Sequence, residues 1–306
     1  MEIRHMEYFA AVAEELNFGR AAQRLNMTQP PLSMQIQQLE HELGVVLFHR
    51  TNRRVALTEA GKYFLIEVRK ILAGIEQAAE IAQRAHRGEF GSLAVGFVGS
   101  ATYDILPAVI REYRSLFPAV QLSLSELSSP AQIEALREGR IDVAILRPPV
   151  SDDSISTSIL ASSPSVIAVA HTHPLARKSP LSLADFAGSP FVMLSRKTWA
   201  GFYDVVLGTC MEAGFHPNIV QEALEFQTVI SLVAAGIGVA MVPISAMNLH
   251  TQHVSYISLG SSLPEIAMGI AWRKSDRSQL LVNFLQIAEK CARTIGPSGE
   301  QKNAGG

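Results

Sequence analysis

The stretch Ala21–Glu40, AAQRLNMTQPPLSMQIQQLE, sets two adjacent prolines where a helical repeat is about to begin. Proline breaks a helix from inside, but in the first turn the backbone N–H groups have no intrahelical partner, so little is lost there. With Thr28 as the cap, Pro30 and Pro31 stiffen the start of a helix instead of ending one. On a helical wheel Leu32, Ile36, Leu39 and Leu43 gather on one side and require burial. The opposite side shows Pro30, Met34, Gln37, Gln38 and His41, a face of amides with little charge.

Working outward, Ile3, Met6, Phe9, Ala10, Ala13 and Leu16 form the apolar stripe of a first helix. Asn17 caps a second, alanine-rich helix that ends near Met27. Two short helices joined by a tight turn, the latter with an amide-bearing outer face, make a helix-turn-helix. The second helix of such a motif enters the major groove of duplex DNA with its N-terminal residues against base edges. Glutamine amides read adenine, and serine or threonine serves bases or phosphates. The following run Val45–Thr58, VVLFHRTNRRVALT, carries His49, Arg50, Arg53 and Arg54 without an acid. A solvated loop and a phosphate-gripping wing both fit this run; beside a groove-reading helix the wing has a use.

Local charge has to carry any nucleic-acid reading, because the 306-residue chain has a net charge of −2. A composition 48% apolar and 18% charged suits folded domains with sizeable cores and leaves room for two or three of them. No apolar run reaches the ~18 residues of a membrane span, and acids interrupt the N-terminal apolar stretch, so a soluble, cytoplasmic protein is expected. Cys210 and Cys291 lack metal-type spacing, so neither a zinc cluster nor a disulfide framework is expected. His171–Pro174, HTHP, has no third ligand nearby and reads as a surface turn.

From Thr58 to Gly88 small or apolar residues recur at 61, 64, 68, 71, 75, 78, 82 and 85, alternating steps of three and four. That is a heptad seam, and its length exceeds what packing on a small domain needs; a dimerising linker helix and a helix packed on its own domain are the two readings. After Ser92 the period changes. SLAVGFV, VQLSLSE and IDVAILR read as strands separated by helices over Thr102–Phe117 and Ser129–Gly139. A second set follows: strands VIAVAH, FVML and GVAMVP, with helices over Gly201–Ala213 and Phe226–Ala235. A strand IAMGIAW and a helix over Asp276–Ile295 close the chain. Such alternation predicts mainly parallel sheets with helices on both faces.

Two strand-to-helix turns, GFVGSATYD and ELSSPAQ, place Ser100, Thr102, Ser128 and Ser129 at helix N-termini. Ordinary N-caps and an anion site both fit this placement. In SRKTWAGFYD, Arg196 and Lys197 precede Trp199, Gly201 and Phe202 at another helix start. Nothing forms a catalytic Ser/His/Asp or Cys/His set, so an enzyme is not expected. GIG in AAGIGVAMVP precedes a strand and does not link strand to helix, which removes a dinucleotide site.

Phe9–Gly61 closely resembles the DNA-binding segment of LysR-type transcriptional regulators, nearly position by position across AAQRLNMTQPPLSMQIQQLEHELGVVLFHR. TEAG and VAAGIGVAMVP extend the resemblance along essentially residues 1–293. GFVGSATYDILPAVIREYRSLFP, EALREGRIDVAILR and HPLA look most like the branch that controls degradation of benzoate, catechol and related aromatics. The resemblance implies an α+β multidomain fold: a winged helix-turn-helix over 1–57, a coiled-coil linker helix over 58–88, and a two-lobed α/β effector domain of periplasmic-binding-protein type. Lobe one would span 92–161 plus 266–294, lobe two 162–265, with crossings near 160–163 and 263–266 and a disordered tail over 296–306. It further implies a homodimer or homotetramer, promoter DNA as partner, RNA polymerase as a further partner the family allows, and no cofactor.

Family DNA contacts map onto Thr28, Gln29, Pro30, Pro31, Ser33 and Arg53; the exposed face and the wing add Met34, Gln37, Arg50 and Arg54. Met34 stands where many relatives carry arginine, and it is either a tolerated surface residue or a contact for a thymine methyl. Similarity to the muconate-responsive members places Ser100, Ser129 and Phe202 at carboxylate-binding positions and Arg147 near a second ligand site. Gln227 and Thr228 are expected to face the same cleft. The expected effector is a small carboxylate, aromatic in origin. Ala161 and Ser163 replace an arginine and a glutamate of the benzoate-binding relative, so that second site is expected to be absent or altered.

Overall fold

A computed structural model describes residues 1–51 and 54–295. The chain divides into two compact units, Met1–Arg84 and a second beginning at Ala85.

The first unit holds α1 (Ile3–Glu15), α2 (Phe18–Arg24), α3 (Gln29–Leu43), the antiparallel hairpin β1 (Phe48–Thr51) and β2 (Arg54–Leu57), and most of α4 (Glu59–His86). The Asn17 side chain accepts the Arg20 N–H at 3.0 Å and opens α2. Thr28 stands at the N-cap of α3 with extended backbone, although its hydroxyl makes no cap bond. Leu32, Ile36 and Leu39 of α3 are fully buried with Phe9, Leu47 and Phe48. Each such side chain contributes about 1.5–3 kcal/mol of hydrophobic stabilisation. Leu43, the fourth residue of the expected stripe, is only half-buried. Gly61 lets α4 close onto the wing: a Cβ there would lie 2.2 Å from the Leu47 carbonyl oxygen.

Only the start of α4 is anchored. Gly61 and Val68 are buried and Phe64 is half-buried, whereas Ile71 and Ile75 of the same seam are 44% and 39% exposed. Tyr63 and Ile66 are exposed as well.

The second unit is built on a seven-stranded sheet. Its strands are β3 (Gly91–Phe97), β4 (Val120–Glu126), β5 (Val143–Leu146), β6 (Ile155–Ala170), β9 (Ala240–Pro243), β10 (Val254–Ile257) and β11 (Glu265–Arg273). The hydrogen-bonded order is β10-β6-β11-β5-β3-β4, with β9 also pairing β6. One lobe packs α5 (Ile105–Leu116) and α9 (Gln279–Ile295) on one sheet face and α6 (Ser129–Arg137) on the other. The other lobe gathers α7 (Ala200–Glu212), α8 (Phe226–Ala234) and the parallel pair β7 (Pro190–Leu194) and β8 (Asn218–Ala223) around the buried half of β6.

β6 runs through both lobes. It pairs β11 up to Pro164, then β9 from Ser165 and β10 from Ile167. β6 therefore hands over from β11 to β9 and β10 at 164/165, and β11 begins at Glu265. The sheet is mixed and not mainly parallel: β3, β4 and β5 are parallel, but β11 and β6 are antiparallel to their neighbours. Hydrophobic spacing reports burial, not strand direction, so the periodicity could not show this. The first half of β6 is not among the expected strands, because serines, a threonine and Pro164 fill it. Helix α5 begins at Ile105, three residues later than expected, because Gly99–Tyr103 forms a separate 3-10 turn. The expected tail at 296–306 lies outside the described residues, and no described helix is long and apolar enough to cross a membrane.

Candidate functional site

Two surfaces carry chemistry, and each belongs to one unit. In the first unit the outer face of α3 is open. Thr28, Gln29, Pro30, Met34 and Gln37 are exposed, Pro31 and Ser33 half-buried, and Met34 shows 62% of its surface. Gln35, on the flank of the same helix, is held by His5 at 2.8 Å.

The wing departs from expectation at Arg50. Its guanidinium pairs with Glu40 of α3 and lies 5.1 Å from the centre of the Phe18 ring. The other Glu40 oxygen accepts the backbone N–H groups of Leu47 and Phe48 at 2.8 and 3.0 Å. Arg50 is thus a clasp between wing and helix, paired with Glu40 while remaining exposed. Arg54 is exposed, and Arg53 lies outside the described residues.

In the second unit a cleft between the lobes encloses about 20 Å³. It is lined by Ser100, Ser128, Ser129 and Arg147 from the first lobe and by Thr198, Trp199, Glu225 and Phe226 from the second. Arg147 follows β5 and is 5% exposed. Its Nε and Nη2 donate to Ser100 Oγ at 3.3 and 2.9 Å, and Nη1 donates to the Ala267 carbonyl at 3.0 Å. Its backbone N–H donates to Ser129 Oγ at 3.0 Å. Trp199 covers the guanidinium at 5.4 Å, and its indole N–H donates to the Pro148 carbonyl.

A guanidinium has five N–H groups. Three are engaged here, so one on Nη1 and one on Nη2 have no acceptor among the described residues. Both serine oxygens accept from Arg147, which directs their own O–H protons elsewhere. Among the described residues no carboxylate stands at ion-pair distance from this buried cation. Burial draws its pKa down to about 10, against the more distant pull of Asp104 and Tyr103, and at neutral pH it stays charged. Tyr103 is pushed up to about 12 by burial and then by the nearby Glu225. The ensemble offers positive charge and hydroxyl donors in a closed, partly apolar space, which suits an anion.

Six expected site residues do not line this cleft. Thr102 is exposed, and its hydroxyl turns back to the Gly99 carbonyl at 2.6 Å because the 3-10 turn aims Ser100 inward instead. Arg196 is paired with Asp204 on the surface. Gly201, Gln227 and Thr228 are exposed. Phe202 is buried in the lobe-two core, stacked on Trp199 at 4.9 Å and edge-on to Phe226 at 5.5 Å; it backs the wall without reaching the ligand space. The sequence reading missed Glu225, Phe226, Thr198 and the Ala267 carbonyl, none of which carries a motif. The HTHP turn holds His171 on Ser255 and His173 on Ser189, and no metal-ligating group of three exists among the described residues.

Residues 3–62 match the family described as "Bacterial regulatory helix-turn-helix protein, lysR family", and residues 86–292 match "LysR substrate binding domain". The chain belongs to the LysR family of transcriptional regulators. It is 47% identical to the regulator AlsR of Bacillus subtilis over 96% of this chain and 97% of that one. It is 38% identical to the regulator CatR of Pseudomonas putida over 94% and 98% of the two chains. Among solved structures it resembles CbnR, a LysR-family regulator, in complex with its target DNA, with a TM-score of 0.84, 29% identity and coverage of 95% and 100%. As a LysR-family member the chain is a DNA-binding transcriptional regulator with an effector domain, not an enzyme.

Proposed function

We propose that this LysR-family regulator works in the cytoplasm as a homodimer or homotetramer, and that a small carboxylate seated on Arg147 between the lobes controls it. The observation that carries the reading is a buried arginine that, among the described residues, has no carboxylate at ion-pair distance and keeps two N–H groups unshared, flanked by Ser100, Ser128 and Ser129. An aromatic-derived acid follows from the resemblance to the aromatic-degradation branch, and Trp199 gives it an apolar wall.

On the DNA side the proposed contacts are Thr28, Gln29, Pro30, Pro31, Ser33, Met34 and Gln37 of α3, with Arg54 and Arg53 in the wing. Arg50 belongs to this set less directly, since it is exposed but already paired with Glu40. The exposed α4 seam at Ile71 and Ile75 supports pairing with a second copy. RNA polymerase is a further partner of the complete assembly. A ligand preferring one arrangement of the subunits would shift how paired recognition helices meet the operator; its differential affinity supplies the coupling.

Isothermal titration with a panel of mono- and dicarboxylates tests the cleft, with enthalpy lost in Arg147→Met as the expected result. Binding of neutral or cationic compounds alone would count against the anion reading. A mobility shift on the DNA upstream of a neighbouring gene, weakening steeply with salt, tests the DNA side.

A further inference from the structure

The cleft has a second charged wall. Glu225, the residue before α8, comes from the lobe opposite Arg147, and its carboxylate makes no hydrogen bond among the described residues. It lies against Gly99, the neighbour of Ser100. A Cβ on Gly99 would lie 2.8 Å from Glu225 Oε2 and 2.6 Å from Glu126 Oε1. Two carboxylates, one from each lobe, therefore converge on the backbone next to the serine that holds Arg147. Burial and then the proximity of Glu126 raise the Glu225 pKa, in keeping with a negative charge that lacks a donor. The other cations expected at the site are turned away: Arg196 is paired with Asp204, and Lys197 is exposed and absent from the lining.

Resting on the anion reading of the cleft, we propose that the effector is a monocarboxylate bearing a hydrogen-bond donor, such as a 2-hydroxy acid, and that Glu225 is the residue that selects it. The acid group takes the two unshared Arg147 N–H groups and the serine hydroxyls. The donor faces Glu225, whose ionised oxygens accept and cannot donate. A second carboxylate in that place would meet the like charge of half-buried Glu225, with exposed Glu126 beside Gly99 adding to it, and would be rejected.

Titration calorimetry of the full-length protein with propionate, lactate, malonate and succinate tests this. Lactate is expected to bind about tenfold or more tightly than propionate, the worth of one bond to a charged acceptor. Malonate and succinate are expected at least about tenfold weaker than propionate. Glu225→Gln keeps the size of the side chain and breaks no bond, so it should fold, as a thermal melt will show. It is expected to narrow both gaps to about twofold. Dicarboxylates matching propionate in the wild type, or lactate no better than propionate, would overturn the inference and leave the anion site standing. If no acid binds and Arg147→Met changes nothing, the anion site itself fails and the inference falls with it.

Discussion

Arg50 and Arg147 are both arginines whose guanidinium groups lie near an aromatic ring, and they do opposite things. Arg50, in the wing, meets Glu40, and that carboxylate also takes two backbone N–H groups, so every charge in the clasp is compensated. Arg147, in the cleft, is more deeply buried yet bonds only to hydroxyl and carbonyl acceptors among the described residues. A compensated pair holds a shape, whereas an uncompensated buried charge costs stability and is kept where something outside the chain will neutralise it. Residue type does not distinguish a clasp from a ligand site; the presence of a carboxylate partner does.

The contrast breaks most visibly at Glu40. Glu40→Ala would strand the Leu47 and Phe48 N–H groups and leave Arg50 unpaired, and should cost the first unit about 3 kcal/mol in urea unfolding. A loss under 1 kcal/mol would mean the clasp is ornamental. At Arg147 the expectation inverts. Arg147→Met should weaken carboxylate binding about 100-fold, read by calorimetry, while the melting temperature stays level or rises because a lone buried charge has gone. A large fall in melting temperature would show that Arg147 is structural after all.

Arg50→Lys sharpens the comparison from the other side. It retains the charge but loses the forked geometry and the stacking on Phe18, and should destabilise by about 1 kcal/mol with little change in the salt dependence of DNA binding. A free phosphate contact would give the reverse.

The smallest effect is expected at Glu225. Burial and Glu126 raise its pKa, so the ionised form is the penalised one in the folded protein. That penalty is present at neutral pH and is relieved as the pH falls towards the ordinary carboxylate value of 4.5. Glu225→Gln should therefore raise the melting temperature by about 1–2 °C at pH 7, with the gain vanishing near pH 4. An equal gain at both pH values would exclude the charge as its cause.

Much of this was readable in advance where local rules decide. The proline-stiffened start of α3, its buried leucines, the α4 seam and the strand ending at Arg147 all follow from spacing and first-turn chemistry. What escaped has a common cause. Glu40 and Arg50 are ten residues apart and meet only because the wing folds back onto α3. Ser100 points into the cleft and Thr102 away from it because of a 3-10 turn, which neither residue type announces. The polar half of β6 lacks the apolar pattern of a strand and is held as one by pairing with β11, more than a hundred residues later.

The amino-acid order alone determined the groove-reading helix and the family, since these rest on contacts within a few residues and on a dense local motif. Tertiary structure alone decided the charge balance of each site. Whether a guanidinium is neutralised depends on which carboxylate the distant chain carries to it, and Coulomb and desolvation energies depend on distance and burial, not on sequence separation.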